Sequence, residues 1–344
     1  MNLSRQRGVS LIELMVSITI GLILIAGVLS IFFSSKVTYF TNEKTARLQE
    51  NGRVALDLVV HDIRSSGYMG CARAVPFSST LNTPNSMLWN YAIPLQGYES
   101  DNTSTWAPAI AAGTLNPAPI VASDVIVTRA PVRDSRAMLV ESDLASLTSS
   151  PEILDVPDIT PGMIMMITDC MASTVFQVTG YTSADPVGTI DHAAGGANPG
   201  NSTDDLNNMY LTGSRVTQLQ TVIYYLANDP VSGEPSLYRQ TGSTQPADML
   251  IDGIQAMQLA YAEDTNGDRV ADVYRPANLV ANWDNVLSVT VSMLIRSREE
   301  GLDVDSKQYT LLTPALGGRT FGPFNDRRMR MVFTTTIALR NRAL

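Results

Sequence analysis

Arg7-Gly8-Val9-Ser10-Leu11-Ile12-Glu13-Leu14-Met15-Val16 is the stretch on which the reading of this 344-residue chain turns. With Arg5 just before it, the stretch sets two cations, a glycine and a lone carboxylate at the mouth of an apolar run. From Leu14 to Ser35 no residue is charged, and as a helix those 22 residues would be roughly 33 Å long, enough to cross a bilayer. The next charge is Lys36. The basic leader predicts a cytoplasmic N-terminus, with the bulk of the chain across the membrane. A conventional secretory signal would need a small-residue cleavage site after the run; Ser34-Ser35 carries no A-x-A pattern, and the run exceeds a usual h-region.

The rest of the composition narrows the class. Acidic residues number 33 against 24 basic ones, and the net charge is −9. Sequence-independent nucleic-acid binding needs a dense Lys/Arg surface, so no nucleic-acid partner is expected. The mean hydropathy of +0.04 averages one apolar end with a polar remainder. A multi-span membrane protein and a freely soluble one are both excluded. Two Cys and two His give no zinc framework.

Glu13 is the anomaly. A carboxylate at the start of an apolar span either rests at headgroup level or finds a partner. A short basic leader ending in Gly8, followed by a mostly hydrophobic stretch with Glu at its fifth position, resembles the class III signal of type IV pilins. The resemblance implies that a prepilin peptidase cuts between Gly8 and Val9 and that the new N-terminus at Val9 is methylated. It also implies that Glu13 pairs with the N-terminal amine of an adjacent subunit during assembly. Losing Arg5 and Arg7 would take the charge from −9 to −11, termini aside. Two features depart from major pilins: Val9 replaces the usual Phe, and Ser30 stands where many have Pro. Gly21 and Gly27 are the weak points left in the span.

Lys36 to about Ser65 contains no Pro, and only Gly52 interrupts it. Val37, Phe40, Leu48, Ala55, Leu58, Val59 and Ile63 fall near one helical face, with Arg47, Glu50, Asp57, His61 and Asp62 on a polar one. Ser65 or Ser66-Gly67 ends the helix. The expected organisation is a leader over 1–8, a transmembrane or filament-core helix over 9–35, the amphipathic half of that helix over 36–66, and a β-rich globular domain over 67–344.

In that domain Leu287 to Ile295 alternates apolar and polar residues, as does Met329 to Leu339. Val125-Ile126-Val127, Met163 to Ile167, Val175 to Val178 and Val222 to Leu226 read as further strands. Asn228-Asp229-Pro230 and Ser232-Gly233 mark a hairpin turn before Ser236 to Arg239. Ala247 to Gly253 reads as a short helix or a strand. Pro76 to Pro119 and Gly188 to Asn208 read as long loops. The fold class is α+β: one long N-terminal helix packed on a mainly antiparallel sheet domain with long loops.

Several segments resemble the PilW-type minor pilins. They are Asp62-Ile63-Arg64 with Gly67-Tyr68-Met69-Gly70-Cys71; Ser123 to Val127; Thr168-Asp169-Cys170 with Val175 to Val178; Leu237-Tyr238-Arg239; Asp252 to Gln255; and Leu339-Arg340-Asn341-Arg342. Their order spans nearly the whole chain. The resemblance implies a low-abundance subunit that helps initiate the type IV pilus and sits in a priming or tip complex. Its partners would be other minor pilins, the major pilin, the prepilin peptidase and, in some systems, a tip adhesin. It would sit first in the inner membrane with its domain in the periplasm, then in an extracellular pilus.

Three further readings concern sites. In an oxidising compartment Cys71 and Cys170 are expected to form a disulfide; two buried free thiols are the alternative. Asp264, Asn266, Asp268 and Asp272 present oxygens at the spacing a calcium ion uses. Arg269 replaces the glycine of an EF-hand loop, and Arg275 stands in place of its last Glu, so an Asx/Gly turn between strands is the other reading. The arginines near the C-terminus, Arg327, Arg328, Arg330, Arg340 and Arg342, read as the solvated face and end of a strand. No G-x-S-x-G or other catalytic constellation is present. A minor pseudopilin of a type II secretion system shares the signal and the fold. A membrane-anchored periplasmic enzyme would need a pocket of convergent titratable groups.

Overall fold

The computed structural model describes residues 10–68, 76–100, 105–133, 135–154, 158–300 and 306–339. It divides into two compact units, residues 1–50 and 51–344. A single helix, α1 (Leu11–Ser65), begins in the first and ends in the second.

In the first unit α1 is long and apolar enough to cross a membrane. Along the apolar run its large side chains stay outside any core: Leu14 is 53% exposed and Ile23 67%. Gly21 and Gly27 do not interrupt the helix. Val37 and Phe40, expected on the buried stripe, are 65% and 43% exposed. Apolar surface left outside the fold suits lipid or other apolar helices rather than water.

In the second unit the helix does bury a stripe. Ala55, Val59 and Ile63, spaced one turn apart, are fully buried. Ser66 Oγ donates to the Ile63 carbonyl at 2.7 Å, and Gly67, at φ +75°, ends the helix where the sequence places its stop.

The strands that position the rest are β1 (Leu95–Ser100), β2 (Val125–Pro131), β3 (Ile164–Thr168), β4 (Ser173–Gln177), β5 (Arg215–Asn228), β6 (Pro235–Thr241), β7 (Asp248–Asp252), β8 (Ile254–Glu263), β9 (Val273–Arg275), β10 (Val286–Arg296) and β11 (Arg330–Ala338). In the largest sheet β4, β3, β5, β2 and β1 lie side by side, and β6 and β7 extend it along the second half of β5. A four-stranded sheet has the order β9-β8-β10-β11. Among the described residues pairing is antiparallel, save for Phe77–Ser79 alongside β4. Short strands Glu152–Leu154, Val187–Asp191 and Gly180–Ala184 form a third sheet, and Tyr309–Leu311 pairs with Arg319–Phe321. The α+β class with a long N-terminal helix is therefore as expected.

The stretch 76–119 is not simply a loop. It holds three strands, Phe77–Ser79, β1 and Trp106–Ala107. Between them it is pinned by Arg129, which is fully buried and donates to the carbonyls of Ile93 and Met87 at 2.5 Å each. Burial lowers this guanidinium to about 10. Likewise 188–208 opens in a strand and then wraps around Asn201, whose buried amide donates to the Gln177 carbonyl and accepts from Thr80 Oγ1. Polar residues read as loop formers instead satisfy buried backbone groups.

The 247–253 ambiguity resolves to strand β7. Gly253 after it has φ +78°, and a Cβ there would stand 2.7 Å from the Arg296 carbonyl oxygen, so only glycine fits the approach. The turn at 228–235 forms as read: Asp229 Oδ2 accepts from Ser232 N at 2.8 Å and Ser232 Oγ at 2.6 Å.

Candidate assembly site

The helix start carries the chemistry singled out in the sequence. Ser10 Oγ accepts from the Glu13 amide at 3.3 Å, and Glu13 Oε2 accepts from the Ser10 amide at 3.5 Å. This is a reciprocal capping box, S-x-x-E ahead of an apolar run. The S-x-x-E spacing is legible in the sequence, and reading Glu13 as a carboxylate that rests at headgroup level or finds a cation leaves it out. Glu13 makes no ion pair among the described residues. Gly8 and Val9 lie outside the described residues, as do Arg5 and Arg7. Further along, Ser17 and Thr19 return their hydroxyls to the carbonyls of Glu13 and Met15, which hides these polar atoms within the apolar span.

The other expected sites lie in the second unit. Cys71 falls outside the described residues. Cys170 sits at φ +68° on an exposed turn and carries no free thiol. The turn is held by Asp169 Oδ1, which accepts from the amides of Met171 and Ala172 at 2.9 and 2.8 Å.

The stretch Asp264 to Asp272 joins β8 to β9 as a self-bonded turn. Asp264 accepts from the amides of Asn266, Gly267 and Arg269 at 3.1, 2.6 and 2.8 Å. Burial would raise its carboxyl, but these backbone donors hold it below the usual range. Asp272 accepts from Thr265 N and Oγ1, both at 2.8 Å, and from the Asn266 amide group at 3.2 Å. Among the described residues no three His, Cys, Asp or Glu side chains converge as a metal-binding group.

The arginines of the C-terminal stretch correct the sequence reading. Arg328 and Arg330 are not a solvated face: their side chains are 15% and 2% exposed. Arg330 bonds Asp326 Oδ1 at 2.7 Å and Gln255 at 2.8 Å, and stacks 3.8 Å above the Phe324 ring. Glu234, from the hairpin turn, bridges Arg296 at 2.7 Å and Arg328 at 3.0 Å. A run of like charges signals solvent only until tertiary structure supplies carboxylates from distant segments. Arg340 and Arg342 lie outside the described residues. His192, read as part of a glycine-rich loop, is buried against Phe176 at 5.4 Å, with Nε2 3.2 Å from the Ser149 carbonyl.

One cluster has no signal in local sequence. Asp124, fully buried, accepts from Ser100 N at 3.2 Å and from Leu259 N at 2.8 Å, so one carboxylate braces β1 against β8. Ser123 Oγ accepts from Met257 N, and Gln258 donates to the Ala122 carbonyl. Three residues thus stitch the large sheet to the four-stranded one. Glu99 lies beside them and pairs with Arg319 at 3.6 Å. Burial pushes the Glu99 carboxyl up to about 7, against the pull of Arg319. Burial and the neighbouring Glu99 raise Asp124 well above the carboxylate range. Gly97 leaves room for the buried Tyr261 hydroxyl, which would stand 2.0 Å from a Cβ at that position.

Comparison with known proteins agrees with this layout at both ends of the chain. Residues 3–29 match the prokaryotic N-terminal methylation motif. Residues 223–341, which run from β5 past β11, match Type IV Pilus-assembly protein W. No curated protein matches the chain. A solved structure, the type IV-like pilin TTHA1219 from Thermus thermophilus, aligns over 87% of this chain and 98% of its own at 10% identity, with a TM-score of 0.36. At that level it adds nothing to the fold already described. The two matches point to one class, the type IV pilin-like proteins, which are structural pilus components and not an enzyme family, and the N-terminal helix is long and apolar enough to cross a membrane. Within that class the family that the chain resembles is Type IV Pilus-assembly protein W, over residues 223–341.

Proposed function

We propose that this chain is a minor pilin that helps initiate pilus assembly and takes its place in a priming or tip complex with other minor pilins. The observation that carries the reading is a prepilin-type helix start, capped by Ser10 and Glu13, ahead of a unit as large as residues 51–344. Bulk of that order fits poorly in a closely repeating shaft and suits an end. The major pilin, the other minor pilins and, in some systems, a tip adhesin are the partners this reading calls for.

The chemistry follows from the helix start. Cleavage after Gly8 would free an α-amine at Val9. In lipid a carboxylate needs a cation, and a neighbouring subunit's amine is one that assembly can bring to Glu13. Before assembly the capping box keeps Glu13 bonded within its own helix. The basic leader favours the domain on the far side of the membrane, and the Cys71–Cys170 disulfide fits that compartment. A calcium ion at Asp264, Asn266, Asp268 and Asp272 is part of the same proposal and is supported by the donor set alone.

The test replaces Gly8 with a bulky residue, Gly8→Val, and separately Glu13→Gln. Gly8→Val should leave an uncleaved precursor on a mass shift assay and make pili scarce. Glu13→Gln should be cleaved yet under-incorporated. Normal cleavage and piliation in both would overturn the proposal.

A further inference from the structure

β11 is the outer strand of the four-stranded sheet, and it pairs with β10 at nine consecutive positions without a shift of register. The phase of that ladder is fixed at its two ends. Leu339 N donates to the Leu287 carbonyl at 2.8 Å, and Ser297 N donates to the Met329 carbonyl at 2.8 Å. Both are directly opposed pairs in the same register. Hydrogen-bonded and non-bonded pairs alternate along an antiparallel ladder, so the odd-numbered residues of β11 bond to β10. Val332, Thr334 and Thr336 therefore turn their N–H and C=O groups to the open side. Among the described residues no other backbone group meets them.

Open edges are normally blunted by short length, charge, Pro or a bulge. Among the described residues the other outer strands of the two larger sheets follow that rule. β9 has three residues, Phe77–Ser79 three and Trp106–Ala107 two, while β7 carries Asp248 and Asp252. β11 has nine residues, and from Met331 to Ala338 it holds no charge and no Pro. On its inner face Phe333 lies against Gly52, where a Cβ would meet the ring at 2.6 Å, so β11 packs on the part of α1 that belongs to the second unit. The chain bears −9 overall, and this strip carries none of that charge, so an uncharged strand meets no electrostatic barrier there.

We propose that the open edge of β11 receives an extended, uncharged strand from the globular part of a second pilin, so that the four-stranded sheet continues across the subunit boundary. Main-chain bonds at 332, 334 and 336 give the affinity, and side chains flanking Val332 and Thr334 give the selection. This rests on the reading that the chain assembles with other pilins.

The test uses the full-length chain in piliated cells of its own host. Thr334→Pro removes an outward N–H and leaves the ladder to β10 in place, a substitution that edge strands tolerate. Val332→Lys adds the charge that natural edges use as a block. Thr334→Ala is the control, because it loses the hydroxyl bond to Ser292 but keeps the N–H. The Pro and Lys variants should lose recovery in complexes with the host's pilins, while leader removal and melting temperature stay at wild-type values. The Ala control should be recovered normally. Hydrogen exchange at the amides of 332, 334 and 336 should be fast in the detergent-purified chain and protected in the co-purified complex. Full recovery of the Pro and Lys variants, or amides already protected in the purified chain, would overturn the edge proposal. Should Thr334→Pro fail to fold, Val332→Lys and the exchange experiment decide it. Failure of leader removal in the wild type would sink the pilin reading instead.

Discussion

The Tyr224 hydroxyl, on the central strand β5, donates to Asp62 Oδ2 on α1 at 2.7 Å. Arg239 on β6 approaches the same carboxylate at 3.5 Å. Burial and the adjacent Asp62 both raise the phenol, so it stays a donor at any ordinary pH. This polar contact sits beside the Ala55, Val59 and Ile63 stripe and fixes which way the helix faces, something apolar contact alone does weakly. Tyr224→Phe should cost about 2 kcal/mol, the worth of a buried hydrogen bond to a charged group. Denaturant midpoints for the two proteins give the number, and an unchanged midpoint would reject the latch.

Glu99 makes stability depend on pH in an unusual direction. Its folded carboxyl is raised to about 7, above the ordinary value of 4.5. A raised folded value means the native state holds the proton more tightly than the unfolded chain. The contribution is fully present below about 4.5 and is lost as pH rises through about 7. Melting temperature should fall between those limits on the alkaline side, and Glu99→Gln should flatten that slope. Asp326, held at about 2 mainly by its hydrogen bond to Arg330, gives the opposite slope only under strong acid. A wild-type slope retained in Glu99→Gln would show that another group titrates there.

Cys170 carries no free thiol, and the chain holds only two cysteines. Non-reducing mass spectrometry of the full chain should find one cross-linked peptide pair containing Cys71 and Cys170. Closing a loop of roughly 100 residues stabilises by up to about 4.7 kcal/mol in the chain-entropy model, so reduction should lower the melting temperature. Two alkylatable thiols in the native protein would reject the bridge.

The turn after β8 offers a comparison between two causes of order. Asp264 takes three backbone amides, so Asp264→Ala should loosen residues 264–272 with or without added metal, seen as faster amide exchange. If calcium also binds, calorimetry registers heat and the melting temperature rises with calcium and falls with chelator. No heat and no shift would leave the turn as its own hydrogen-bonded structure.

By itself the sequence determined the elements whose cause is local. The uncharged span, the basic leader before it, Glu13 and the Gly67 stop are properties of neighbouring residues, and so is the period-two alternation of β10 and β11. Each was legible because a helix or a strand reports its period in the chain. The capping box was legible in the same way, once Ser10 is read together with Glu13. Tertiary structure alone decided the rest. Asp124 gained its role from Ser100 and Leu259, and Arg328 lost its solvent to Glu234, because partners far apart in sequence were folded against them. The polar stretch 76–119 gained its strand Leu95–Ser100 and its pinned turns for the same reason: Arg129 and β2 supply partners that no window of the sequence contains. The open side of β11 also belongs to the fold, since only the strand order leaves an alternating segment with one neighbour instead of two. Periodicity says which face of a strand is buried; which edges are covered depends on contacts that form last and lie furthest apart along the chain.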